Sequence, residues 1–547
     1  MMVRKSAGWV LAATLGMAAP VNATTWVKAE SAHFTVYSDV SAKTAAAYLV
    51  RLEQYRYILS GFYGISADDD AATAKLPVYF VDTFGDLRQT WPTASQDVAG
   101  YYKGCAEGEL AVGLYEDGAI RQTQTAKAQE ENPSQAVLFH EYAHDFMFHH
   151  SSKAYPHWFV EGFAEFYSTT KIQSDQAIVG MAFSWRVNTL INQRQWTMPY
   201  ADLLRDSWRP KHGQPSDEQE SAFYAQSWLL THYLLSDTAR RKQFADYIEA
   251  YRKGQDPVTA FEATFGIKVK DLNGILFAYL DTMQASLYRI HDMPAPSVTT
   301  TTLPPSASRL LLWDAAARLC PPPEERPMLL TKIRTEAARY PDDDFAQTVL
   351  ARAEIVIGDE WKALDYLKAR VVAHPDDADA YFMLGQTWYL MTIHKHIIDG
   401  ETVASQMAAA RAALGKSYQL DPLNAPDLYY YSLALAEPGQ PPSDNMIAAA
   451  MQAQILAPSV DIYAIRAARL LARRGRLSEA KDMLMPLASN PHRVDEATWA
   501  ANIIAVIDRQ GSQAEVLAAL VAPIGAPAAN PTPQSPPAKP SPDDNEN

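Results

Sequence analysis

Two carboxylates stand one helical turn apart in an otherwise apolar run: Trp158-Phe159-Val160-Glu161-Gly162-Phe163-Ala164-Glu165. A helix that buries this run must give both charges a partner. The partner is offered 17 residues before Glu161, where His140-Glu141-Tyr142-Ala143-His144 forms a His-Glu-x-x-His motif. His140 and His144 are four residues apart and share one helix face. Two imidazoles so placed can grip one Zn²⁺ through bonds of about 2.0–2.1 Å. Glu141 lies beside them and can take a proton from activated water. A catalytic zinc needs a third protein ligand and an open position. Glu161 is the candidate third ligand. Glu165, one turn on, can accept the second ring N–H of a ligand histidine and so fix its tautomer.

Val137-Leu138-Phe139-His140-Glu141-Tyr142-Ala143-His144 followed by Phe159-Val160-Glu161-Gly162-Phe163-Ala164 resembles the gluzincin metallopeptidases, nearest to their peptidase-MA-like and aminopeptidase-N-like members. The resemblance spans roughly residues 30–290. It implies zinc held by His140, His144 and Glu161, with Glu141 as general base. Asp145 departs from the pattern, which has an uncharged residue after the second histidine. Similar gluzincins also supply an oxyanion donor, a tyrosine near the start of a helix downstream of the third ligand. Tyr224-Ala225-Gln226-Ser227 offers such a setting, with Tyr224 as candidate and His232 behind it. Core packing is the other role open to Tyr224.

The chain has 547 residues, enough for two or three full cores. Its net charge of −15 and lack of a basic patch exclude nucleic acid as a partner. Residues 1–23 read as a secretory signal: Arg4 and Lys5, an apolar run from Ala7 to Ala19, then Val21-Asn22-Ala23. The mature chain is expected to be soluble, without a membrane span, and periplasmic or secreted. Its two cysteines, Cys105 and Cys320, can form a disulfide between domains or stay buried and unpaired.

In chain order, His33–Ser38, Leu76–Val81, Val98–Tyr102 and Leu110–Leu114 read as strands. Ser41–Tyr63 reads as a helix stopped by Gly64. Asp86–Gln89 starts a short helical piece, and Ser134 is the expected N-cap of the motif helix, which runs to about His150. An edge strand near Gly100-Tyr101-Tyr102 can pair with an extended substrate, or its tyrosines can simply pack a sheet. Glu107 and Glu109 are either amine anchors of an aminopeptidase or solvated turn residues. His149, His150 and His157 read as surface groups or groups behind the ligands. Residues 220–235 form an apolar helix, and helical patterns continue to about Met293.

Residues 294–324 read as a Pro-rich linker. From 325 to 520, helix pairs close at Pro341, Pro375, Pro422, Pro458 and Pro491, spaced 34, 47, 36 and 33 residues apart. A period near 34 with a closing proline is that of tetratricopeptide repeats. Leu384-Gly385, Trp388 and Ala363 fall at that repeat's positions, and the long interval carries an insertion around Thr392–Thr402. Val521–Asn547 is too polar and Pro-rich to bury a core.

The expected architecture is therefore an α+β zincin-like metallopeptidase domain over residues 24–293, with a small mixed-sheet lobe and a helical lobe. A C-terminal all-α helical-repeat solenoid follows. The expected function is zinc-dependent hydrolysis of a peptide or protein substrate, with a protein partner or the substrate on the repeats. The alternative is a repeat-based binding or assembly protein with a degenerate peptidase lobe; stoichiometric zinc in purified protein separates the two.

Overall fold

The computed structural model describes residues 25–65, 73–94, 98, 100–114, 133–150, 155–173, 175–182, 184–210, 215–290, 293, 295–490 and 493–524. The leader, Pro491 and the tail beyond 524 lie outside the described residues. The chain is mostly helical, with a small mixed sheet and a helical repeat-like region.

The main sheet contains β1 (Val27–Glu30), β2 (Phe34–Ser38), β3 (Leu76–Val81), β4 (Gly100–Cys105), β5 (Gly108–Leu114) and β9 (Thr299–Thr302), ordered β4-β5-β3-β2-β1-β9. β2, β3 and β5 run parallel, and the outer pairs are antiparallel. Parallel neighbours need crossover connections. α1 (Ala42–Tyr63) makes the first, and α2 (Phe84–Thr90) begins the second. Ser41 caps α1 by accepting the Thr44 N–H at 3.2 Å. β6 (Lys171–Ile172), β7 (Gln176–Val179) and β8 (Ser286–Arg289) form a smaller antiparallel sheet.

The two faces of the main sheet bury different partners. Phe34, Val36, Val78 and Phe80 pack with α1, α3 (Pro133–His150), α4 (His157–Ser168) and α7 (Asp217–Leu235). α5 (Ser184–Asn192) and α6 (Tyr200–Arg205) lie between α4 and α7 in sequence. α8 (Thr238–Arg252), α9 (Pro257–Phe265) and α10 (Leu272–Leu280) complete this lobe. Tyr79, Val81, Tyr101 and Val112 face the other way, onto α11 (Ala307–Arg318).

The stretch read as a linker is thus structured. Thr299–Thr302 forms β9, paired with β1, and α11 covers a sheet face. Within the lobe, Ser286–Arg289 is a strand rather than a continuation of helix. α3 begins at Pro133, so Ser134 lies inside its first turn instead of capping it.

α12 (Arg326–Ala337) packs with α11 and α13 (Asp344–Ile357). Helix pairs follow: α13 with α14 (Leu364–Ala373), α15 (Ala378–Ile393) with α16 (Val403–Leu420), and α17 (Ala425–Ala434) with α18 (Asp444–Leu456). α19 (Asp461–Arg473) with α20 (Leu477–Ala488) and α21 (Val494–Asp508) with α22 (Gln513–Val521) complete the array. Pro341, Pro375, Pro422 and Pro458 each lie in the turn that closes a pair, where a missing N–H and a fixed φ stop a helix. The long interval is spent on residues 394–402, between α15 and α16. A Cβ on Gly385 would sit 2.5 Å from Leu414 Cγ, so glycine is what lets those two helices touch. No helix among the described residues is long and apolar enough to cross a membrane.

Candidate metal centre

α3 and α4 meet in the first lobe's core. Phe139, Ala143, Phe146 and Met147 turn inward from α3, and Tyr55 of α1 stacks on Phe139 at 3.9 Å. Tyr55 also donates its hydroxyl to the Phe139 carbonyl at 3.1 Å. His140 and His144 project from another face of α3 toward α4. α4 is buried along nearly its whole length, with Glu161 only 1% and Glu165 only 4% exposed. Gly162 makes this burial achievable. A Cβ there would collide with the Ser227 carbonyl and the Thr231 hydroxyl, so α4 can press on α7 only without one.

Three donor atoms converge. His140 Nε2 and His144 Nε2 are 3.0 Å apart, and each is 3.4 Å from Glu161 Oε2. Ligand atoms held tetrahedrally at about 2.0–2.1 Å from a zinc ion would be about 3.3 Å apart. Two imidazole nitrogens and one carboxylate oxygen at this spacing therefore fit that ion as a set of three protein ligands.

Behind the donors, Glu165 Oε1 lies 3.4 Å from His140 Nδ1. Arg186, from α5, holds Glu165 with a forked pair of hydrogen bonds, Nε to Oε2 at 2.9 Å and Nη2 to Oε1 at 2.5 Å. The same guanidinium stands 5.0 Å over the Tyr224 ring, a cation–π distance. Arg186 is a member of this cluster that the sequence reading does not single out. Two carboxylates on one buried face call for a cation, but nothing in the sequence marks which one.

Burial opposes a charge on His140, but the Glu161 hydrogen bond and the nearby Glu165 and Glu141 carboxylates override it and raise its pKa to about 9. Such an excess of carboxylate is what a bound cation would offset. Tyr224 lies with its ring centroid 6.3 Å from that of His140. Burial, then Glu161, Glu141 and Glu165, push its hydroxyl well above its ordinary range, so it stays a proton donor. Glu141 is half-buried on the helix that carries the two histidines.

The other sequence candidates go elsewhere. His232 is a packed structural histidine, its ring nitrogens 2.8 Å from the Gly180 carbonyl and 2.7 Å from the Tyr279 hydroxyl. His157 opens α4 and pairs with Asp206 at 2.6 Å. His150 packs against Phe146 with the rings tilted, centroids 4.3 Å apart. β4 is an edge strand, as expected, with Tyr101 buried in its sheet and bonded to Thr90 at 2.6 Å. Glu107 and Glu109 are neither solvated nor free to hold an amine. Glu107 accepts from Gln386 at 2.7 Å and Tyr430 at 3.2 Å, and Glu109 accepts from Ser459. Cys105 and Cys320 are joined in a disulfide. A cavity of about 960 Å³ is lined by Tyr57 and Phe62 of α1 and by Tyr288, and none of the converging donors lines it.

Neither a family model nor a curated protein matches the chain. Among solved structures, a thermophilic TPR protein of Thermus thermophilus aligns with 36% of this chain and 97% of its own, at 23% identity and a TM-score of 0.30. At that score the helix pairs themselves, not the alignment, describe the repeat-like region.

Proposed function

We propose that this chain is an exported, zinc-dependent peptidase of the gluzincin type, joined to tetratricopeptide-like repeats that serve protein–protein contact. The observation that carries the reading is the convergence of His140 Nε2, His144 Nε2 and Glu161 Oε2 within 3.4 Å of one another, with Glu141 on the same helix as the histidines. His140, His144 and Glu161 would hold zinc, which would supply Lewis-acid polarisation of a carbonyl and activation of water. Glu141 accepts the proton as water attacks the scissile carbonyl and passes it to the leaving amine. Tyr224 donates its hydroxyl to the developing oxyanion. Glu165, steadied by Arg186, orients His140 through the ring nitrogen that faces away from Glu161. The Cys105–Cys320 disulfide supports export, because such bonds persist in oxidising compartments. The substrate is a peptide or protein.

Glu141→Gln tests this. The variant should keep stoichiometric zinc and lose about 10²–10⁴-fold in kcat on a peptide library. Undiminished cleavage would sink the reading, and a wild-type chain that takes up no zinc would favour a binding or assembly role.

A further inference from the structure

Asp145, the residue by which this chain departs from the gluzincin pattern, is buried and fully engaged. Its carboxylate accepts from the Tyr102 hydroxyl at 2.8 Å and pairs with His149 Nδ1 at 3.1 Å. His149 Nδ1 also lies 2.9 Å from the Asp145 carbonyl, and its Nε2 lies 3.0 Å from the carbonyl of Leu456. Leu456 ends α18, and a cation is favoured at the C-terminus of a helix. Three residues on, the turn receives the opposite charge. Ser459 donates its hydroxyl and its N–H, the latter at 3.3 Å, to Glu109, just before α19 begins, where an anion is favoured. The Ser459 hydroxyl also lies 3.1 Å from that of Tyr102, which closes the network.

Glu109, Asp145 and His149 lie close enough together to suggest a second metal site. The hydrogen bonding argues against it. Both ring nitrogens of His149 face oxygen acceptors, so the ring is an imidazolium with no lone pair to offer. Its role is that of a charged strut.

We infer that the turn between α18 and α19 is a positioning element for the metal centre, holding the last turn of α3 and edge strand β4 in register through Asp145, His149, Tyr102 and Glu109. Asp145 is bonded directly after His144, so the register of α3 at Asp145 is the register of a metal ligand. Tyr102 belongs to β4, so the same contacts fix the edge strand against that helix. The hairpin tip is anchored alongside: Tyr463 donates to the Ala106 carbonyl at 3.0 Å. On this inference, which rests on the peptidase reading, the repeats are part of the catalytic unit. The named side chains position the site and do not touch substrate.

The test uses the full chain with Ser459→Ala, His149→Gln and, as the conservative variant, Ser459→Thr. Lys481→Ala, an exposed ion-pair change in α20, is the control. Zinc affinity is measured by competition with a chromophoric chelator, and amide hydrogen exchange is followed over residues 100–114 and 145–150. Ser459→Ala and His149→Gln should weaken zinc binding about 10-fold, the lower range for groups behind metal ligands. They should also speed exchange in both segments and lower kcat with KM held. Ser459→Thr should restore all three, and Lys481→Ala should change none. Unchanged zinc affinity in both variants overturns the inference, even if exchange quickens, since the repeats would then only adhere to the lobe. If the wild-type chain binds no zinc, the peptidase reading fails and the inference that rests on it falls too, an outcome distinct from a zinc-binding wild type whose variants keep full affinity.

Discussion

Arg186 grips both oxygens of Glu165 while its guanidinium lies 5.0 Å over the Tyr224 ring. One cation thus ties the carboxylate behind His140 to the proposed oxyanion donor. Arg186→Met should leave a buried carboxylate uncompensated, at a cost of about 3 kcal/mol in urea denaturation. It should also weaken zinc binding about 10-fold or more. Adding Glu165→Gln should recover most of the lost stability but not the zinc affinity.

Gly162 sets the separation of α4 and α7. Gly162→Ala should cost about 1–3 kcal/mol, because the added methyl meets the fixed Ser227 carbonyl as well as the Thr231 hydroxyl. Gly274 is an exposed helix glycine with open space around its Cα. Gly274→Ala should therefore stabilise by about 0.4–1 kcal/mol. Thermal unfolding of the two variants checks the contrast.

Asp427 is fully buried in the repeat-like region, and both its carboxylate oxygens lack a hydrogen-bond partner among the described residues. The neighbouring Ser417 hydroxyl donates to the Ala378 carbonyl. Burial, the dominant cause, lifts the Asp427 pKa from 3.8 to about 8. A folded-state pKa above the unfolded value gives stability that is present in full below pH 3.8 and is lost as pH rises to about 8. Asp427→Asn should remove that share of the pH dependence, so the wild type should lose more stability than the variant between about pH 5 and pH 8. Urea midpoints at the two pH values measure it.

The Cys105–Cys320 bond closes a separation of 215 residues and joins the β4 end of the sheet to the turn after α11. Chain entropy alone assigns such a loop about 5 kcal/mol. Cys105→Ser with Cys320→Ser should lower the unfolding temperature, and a reductant should do the same to the wild type while leaving the double variant unmoved.

The motif helices are legible in the sequence because their chemistry is local. His140 and His144 stand four apart, as do Glu161 and Glu165, so helical periodicity alone brings each pair to one face. The repeat prolines are legible for the same reason. β9 is not: Thr299–Thr302 is a run of four exposed threonines beside prolines, with no apolar alternation to mark a strand. Arg186 is not legible either, because nothing near it in sequence indicates that α5 returns to α4.

Sequence by itself marked the candidate metal ligands and the helical array that follows them, since both depend on spacings within one or two turns. Tertiary structure alone decided that Glu161 meets the histidines, that Arg186 backs Glu165, and that Glu107 and Glu109 enter the repeat-like region. It also decided that the supposed linker completes the sheet. The physical reason is common to all four. A buried charge or an unpaired strand edge is satisfied by whatever group the fold brings within about 3 Å, and that group can lie hundreds of residues away.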